Sequence, residues 1–331
     1  MGQRFRQIEG WLQNTLDTEH FTLQPASADA SLRRYLRVTV EESTYIVMDA
    51  PPSKEDCRPF IDLSNRLSSA GLNVPRILQT DVQRGFLLLT DLGEDLYLDC
   101  LEDANADRLY GDAIEALLTM QLRAEREGLP AYDATLLYGE MELFREWLLK
   151  THLRVSLDRK QHAVLDRMLS VLVDSALAQS PTFVHRDYHS RNLMWSKDNN
   201  PGILDFQGAV VGPITYDLVS LLRDCYIKWP EQRVEKWSME YFSKARSAGL
   251  MPQVDDKQFT YWFDLMGIQR HLKASGIFAR LYHRDGKTGY LKDIPRTLNY
   301  ITEVSGRYTA LEGLCEFLTE LVLPRLDGNS A

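Results

Sequence analysis

Apolar residues recur at three- and four-residue intervals near the start of the chain, as Phe5, Ile8, Trp11, Leu12 and Leu16, the stripe of a helix with one buried face over residues 3 to 16. The period then shortens. Phe21 to Leu23 reads as a strand, and SADASLRR as a turn of small residues before Tyr35, Leu36, Val38 and Val40. TYIVMDAPP is a β-branched and aromatic run stopped by two prolines. Phe60, Ile61, Leu63 and Leu67 return to helical spacing up to Gly71, and VPRIL and GFLLLTDLG supply two more strands. The first part of the chain is thus expected to be a mainly antiparallel sheet with helix.

Beyond Gly93 the pattern becomes helical, at about 105 to 127, 140 to 152 and 158 to 179, and again in most segments up to Leu323. Leu143, Phe144, Trp147 and Leu148 line one face of the second of these. An α+β chain of two lobes follows, with a sheet-rich N-terminal lobe over residues 1–93, a helical lobe over 94–331, and a crossover near Thr90 to Glu94. The cleft between such lobes is a usual place for a ligand.

Composition narrows the possible partners. A net charge of −9 disfavours a general affinity for nucleic acid or anionic membrane, so neither is expected as a partner. Cys57, Cys100, Cys225 and Cys315 are far apart, without metal-ligand or disulfide spacing, which fits a reducing compartment. With no signal-like start and no run of about 18 apolar residues, a cytoplasmic protein is expected. No helix reads as apolar on two faces, and oligomeric state stays open.

Candidate chemistry is concentrated in FVHRDYHSRN and, ten residues on, GILDFQG. His185, Asp187 and Asn192 form H-x-D-x-x-x-x-N, and Asp205 and Phe206 a D-F pair after two aliphatic residues. Phosphoryl transfer from ATP needs one carboxylate to orient and deprotonate the attacking hydroxyl, and an amide oxygen with a second carboxylate to hold Mg²⁺. Asp187 suits the first task, and Asn192 and Asp205 the second. An apolar hairpin turning at Asn199 to Gly202 would bring Asp205 back to face the loop. His185 is read as a hydrogen bonder that shapes the loop.

This set resembles the aminoglycoside phosphotransferase and choline kinase-like branch of the protein-kinase-like fold, over essentially the whole chain. TYDLVSLLRD adds to the likeness and implies that Asp217 is the buried carboxylate bracing the catalytic loop. The resemblance further implies ATP and Mg²⁺, with adenine received at Thr90, Asp91 and Leu92. It also implies a small alcohol as acceptor. An amino sugar phosphorylated at its anomeric hydroxyl leads; choline-like, homoserine-like or aminoglycoside acceptors, and a nucleotide-binding pseudokinase, are the alternatives.

Two departures stand out. Kinases place a lysine on the third strand, paired with a helix carboxylate; here the position holds Met48, with Arg33, Arg34, Arg37 and Lys54 as substitute cations. Asp62 is either the acidic partner or a solvated helix residue. SADASLRR lacks a glycine-rich pattern, so Ser31 and backbone N–H groups would cover the phosphates. For the acceptor, the candidates are His189, Arg191 and Gln207 near the catalytic loop, and Arg223, Asp224, Gln269 and Arg270, with His271 and Lys273, on helices flooring the cleft. Tyr226, Trp229, Tyr261 and Trp262 could build an aromatic cage or belong to the core.

Overall fold

The computed structural model describes residues 2–26 and 33–328. Helix α1 (Gln3–Leu16) is followed by strands β1 (Thr22–Pro25), β2 (Arg34–Val40) and β3 (Ser43–Asp49), then α2 (Arg58–Ser69), β4 (Ile77–Asp81) and β5 (Phe86–Thr90). The strands form one antiparallel sheet in the order β1-β2-β3-β5-β4. Period-two alternation gives this sheet two different faces. Val38, Val47, Phe86 and Leu88 point to α1, where they close over Ile8, Trp11 and Leu12, with Trp11 and Phe86 centred 5.5 Å apart. Met48, Leu87 and Leu89 point the other way, onto Phe60, Leu63 and Leu67 of α2 and into the core shared with the rest of the chain.

Asp49 ends β3 fully buried and is held by Arg4 of α1 and Arg34 of β2. Arg34 therefore faces away from the cleft. The linker after β5 is pinned by Arg37, which donates to both Asp91 oxygens at 2.6 and 3.1 Å, to the Gly93 carbonyl at 2.8 Å, and to Glu94.

Helices dominate beyond the linker: α3 (Tyr97–Cys100), α4 (Ala106–Arg123), α5 (Ala134–Leu143), α6 (Arg159–Leu177), α7 (Tyr216–Leu222), α8 (Glu231–Ser247), α9 (Asp256–Asp285), α10 (Ile294–Ser305), α11 (Glu312–Phe317) and α12 (Leu323–Gly328). Short strands interrupt them, with β6 (Pro181–Val184) paired to β9 (Val210–Pro213) and β7 (Leu193–Met194) to β8 (Gly202–Ile203). The α+β, two-lobed class expected from the pattern is the class observed.

One helix differs from its sequence reading. It starts at Ala134, capped by the Asp133 side chain, and from Phe144 to His152 continues in wider π-type turns. The wider turn rotates the buried stripe to Phe144, Leu148 and Leu149, leaving Leu143 and Trp147 only partly covered. The switch occurs where Gly276 of α9 packs directly on the Leu143–Phe144 backbone, a space no side chain could share.

Helix α9 organises this lobe. Across 30 residues it buries side chains on all sides, including Asp264, Gln269, Arg270, His271 and Lys273. Buried polar groups are costly unless partnered, so a helix of this kind supports a site as well as a core.

Candidate active site

The loop joining β6 to β7 carries His185 to Asn192, and its shape is set from below. Asp217, fully buried at the start of α7, accepts from the backbone N–H of His185 at 2.6 Å and of Arg186 at 3.0 Å. Burial raises the Asp217 carboxyl to about 7, against the pull of these two donors. Tyr188 drops into the core and donates to the Ala113 carbonyl at 2.9 Å, anchoring the loop on α4. Asp224 accepts from both the N–H and the hydroxyl of Ser190, at 3.0 and 2.5 Å. His185 accepts the Asp187 N–H through Nδ1 at 3.3 Å, and burial holds its pKa down at about 4, so the ring is neutral at pH 7.

Asp187 is half-buried at the cleft. Burial alone would raise its pKa, but Lys273, His189 and Arg270 outweigh it and hold the carboxyl below the ordinary range. It is ionised at neutral pH. Asn192 donates from Nδ2 to the Asp187 carbonyl at 3.0 Å, which fixes the amide and leaves Oδ1 as its acceptor end. The short β7–β8 ladder places Leu204 opposite Asn192, whose carbonyl accepts the Leu204 N–H at 2.9 Å, so Asp205 emerges one residue beyond at the same end of the hairpin. Asp205 is exposed, in the left-handed region at φ 61°, and Gln207 donates to it.

A buried charge network lies under this loop. Glu140 of α5 accepts from Arg186, from the Tyr132 hydroxyl and from Lys273, the last at 3.1 Å, while Lys273 also donates to the Tyr216 hydroxyl at 2.8 Å. Burial raises the Glu140 pKa, but Lys273 and Arg186 reverse this and keep it low. Glu140 and Arg186 were absent from the sequence reading, and Lys273 figured there as a cleft-floor residue. For Glu140 the available signal is a lone acid within the otherwise apolar stripe of α5; Arg186, in the loop, has none.

The candidate residues do not all converge. Asn192 is bonded to the Asp187 carbonyl and Asp205 emerges at the same end of the hairpin, with His189 and Arg270 beside Asp187. His189 is buried, which pushes its pKa down, and packs edge-on against Tyr226, with Nδ1 unpartnered. Arg191 lies 4.8 Å from the Tyr226 ring centre and 5.3 Å from that of Tyr290. Gln207 donates to the Asp205 carboxylate. Asp224 is spent on the loop.

Arg223 points elsewhere: it pairs with Asp264 at 2.5 Å and lines a cavity of about 160 Å³ with Trp229, Phe263, Tyr300 and Arg307, apart from the catalytic loop. Gln269 is fully buried, its amide unpartnered. Thr90 commits its N–H to the Arg76 carbonyl and its hydroxyl to the Arg76 N–H, while Asp91 and Leu92 follow it in the linker. Ser31 lies outside the described residues. Asp62 pairs with Arg66 on the surface of α2. Of the four aromatics considered for a cage, Trp229 meets Tyr110 and Trp237 edge-on in the core, Trp262 is buried on α9, Tyr261 meets Tyr308, and Tyr226 reaches the loop of His185 to Asn192.

A sheet lobe joined by a pinned linker to a helical lobe, with a carboxylate loop facing a metal-type carboxylate, defines a kinase-like phosphotransferase. The chain belongs to the phosphotransferase enzyme family, whose model matches residues 22–250. Its relatives are more particular. It is 46% identical over 328 residues to the N-acetylmuramate/N-acetylglucosamine kinase of Pseudomonas putida, covering 96% of each chain. It is 42% identical to the kinase of the same name from Neisseria meningitidis, covering 97% of this chain and 96% of that one. The fold is also that of a choline kinase from Streptococcus pneumoniae, with a TM-score of 0.63 at 13% identity over 91% of this chain and all of the other.

Proposed function

We propose that this protein is an ATP- and Mg²⁺-dependent kinase that phosphorylates N-acetylmuramate and N-acetylglucosamine on the anomeric hydroxyl. The observation that carries this reading is the convergence of an ionised Asp187 with Asn192 and Asp205 at one end of the cleft, in a chain 46% identical to a kinase named for these sugars. N-acetylmuramate is a cell-wall sugar, so the reaction would return peptidoglycan fragments to metabolism in the cytoplasm.

Asp187 orients the sugar hydroxyl and accepts its proton as the oxygen attacks the γ-phosphorus in line. The new O–P bond forms as the bond to the bridging oxygen breaks, and ADP leaves with that electron pair. Among the described residues no cluster of three or more His, Cys, Asp or Glu could hold a metal. A two-residue set of Asn192 Oδ1 and Asp205 suits Mg²⁺, which takes the rest of its shell from phosphates and water. A bound Mg²⁺ would neutralise charge between the phosphates. Asp217, His185 and Asn192 keep the loop in one conformation, and His189, Arg191 and Arg270 are the groups nearest the acceptor.

The test is ADP release from ATP and Mg²⁺ with N-acetylmuramate, N-acetylglucosamine, choline, homoserine and kanamycin offered separately, with Asp187→Asn as control. Turnover on the two amino sugars, yielding an acid-labile sugar 1-phosphate and lost in Asp187→Asn, is expected. Turnover on another acceptor alone, or unchanged turnover in the control, overturns the reading.

A further inference from the structure

Met48 occupies the strand position from which kinases hold the α- and β-phosphates, and it is fully buried against α2. A thioether at that place cannot bind an anion, so the cleft needs a cation from elsewhere. The structure narrows the choice. Arg34 is paired to Asp49, Arg37 to the linker acids Asp91 and Glu94, and Lys54 is exposed. Arg33, the residue just before β2, lies against the side chain of Tyr35, which pairs directly with Met48.

Arg33 is 4% exposed and ion-paired to Glu55 at 2.5 Å. Its guanidinium sits 5.8 Å from the ring centre of Phe60, which in turn lies 5.0 Å from Phe206, the neighbour of Asp205. Tyr35 completes the path. Its phenol is raised by burial, lowered again by Arg33, and close enough to Asp205 to feel that carboxylate. Arg33 therefore stands between the start of β2 and the metal-side aspartate, on a base built by α2 and the D-F pair.

Resting on the kinase reading above, we propose that Arg33, held by Glu55, is the phosphate-binding cation of this enzyme and replaces the lysine–glutamate pair that kinases carry on the third strand and the helix after it. The cation has moved one strand back, to the residue just before β2, and its acidic partner from the helix to the loop before it. A planar guanidinium can hold two phosphate oxygens at once, a stricter geometry than an ammonium gives.

The test is calorimetric binding of ATP, ADP and adenosine to the full chain with Mg²⁺, for wild type and for Arg33→Met, Arg33→Lys, Glu55→Gln and Lys54→Met, with melting curves to verify folding. Arg33→Met is expected to weaken ATP and ADP roughly 10- to 100-fold while leaving adenosine within about twofold, the loss of a charge-assisted contact to phosphate alone. Arg33→Lys should recover part of the loss, Glu55→Gln should weaken ATP several-fold, and Lys54→Met should change nothing. ATP binding within about twofold of wild type in Arg33→Met, or equal losses for ATP and adenosine, overturns the assignment. Should Arg33→Met not fold, Glu55→Gln and Arg33→Lys decide: unchanged ATP binding in both overturns it. A wild-type protein that binds none of the three ligands overturns the kinase reading itself, a result distinct from failure of the Arg33 assignment alone.

Discussion

Replacing Lys273 by Met removes one charge from the network under the catalytic loop while keeping most of the buried stem. The ammonium lies 3.1 Å from Glu140 and 2.8 Å from the Tyr216 hydroxyl, and both ionic partners are 8% exposed. Stripping one partner from a buried ion pair costs about 3–5 kcal/mol when the other charge is stranded. Glu140 keeps Arg186, so about 2 kcal/mol is expected here, which for 331 residues lowers Tm by roughly 3 °C.

The effect on chemistry has a sign of its own. Burial raises the Asp187 pKa and Lys273 is the foremost charge opposing it, so Lys273→Met moves that pKa upward. In the proposed mechanism Asp187 must be ionised to take the hydroxyl proton, and the acid limb of kcat/KM is therefore expected to shift to higher pH. The deficit of the variant should shrink toward pH 9 and grow toward the acid end of the pH range. The assay is ADP release across that range, with a melting curve for each protein. An acid limb that stays in place or moves down, in a variant that melts within a few degrees of wild type, would refute the reasoning.

Other expectations follow from the same geometry. Asp217→Ala leaves the buried N–H groups of His185 and Arg186 without an acceptor, a loss of about 2–4 kcal/mol in denaturant unfolding and of at least about 100-fold in kcat; wild-type turnover would contradict the bracing role. Gly276→Ala drives a methyl group into the Leu143–Phe144 backbone and should cost about 3 kcal/mol or more, so an unchanged denaturation midpoint would mean that α9 and α5 do not touch there. Burial depresses the pKa of His185 to about 4 and of His271 to about 3, so each binds a proton on unfolding that it lacks in the native state. Stability present above pH 6.5 is then lost as pH falls, by up to about 1.4 kcal/mol per pH unit for each ring. His271→Phe, which can keep the stack on Tyr300, should flatten that slope by about one proton.

Both the sheet lobe and the catalytic loop were legible in the sequence because each writes a local signal. A strand with α1 on one side and α2 on the other must alternate or run apolar, and a loop that carries His185, Asp187 and Asn192 concentrates rare residues in ten positions. What was hidden depends on distance along the chain. Glu140 and Arg186 are 46 residues apart, and Lys273 reaches Tyr216 across 57, so nothing local marks them as partners. Arg223 and Asp224 are adjacent, yet one turns to Asp264 and the other to Ser190, a divergence set by the end of α7 at Leu222. The wider turns after Leu143 were equally invisible, since they answer the approach of Gly276 from another helix.

Leu92 rests on Gly202, so closely that an added Cβ there would stand 3.0 Å from its Cδ1. A linker is ordinarily the slack part of a two-lobed machine, free to turn while the lobes stay whole. Here it is clamped from above by Arg37 and seated on the hairpin that carries Asn192 and Asp205. A tilt of the sheet lobe about this linker would press on that hairpin, so on the proposed reading a base received beside Leu92 and the carboxylate and amide of Asp205 and Asn192 would move together.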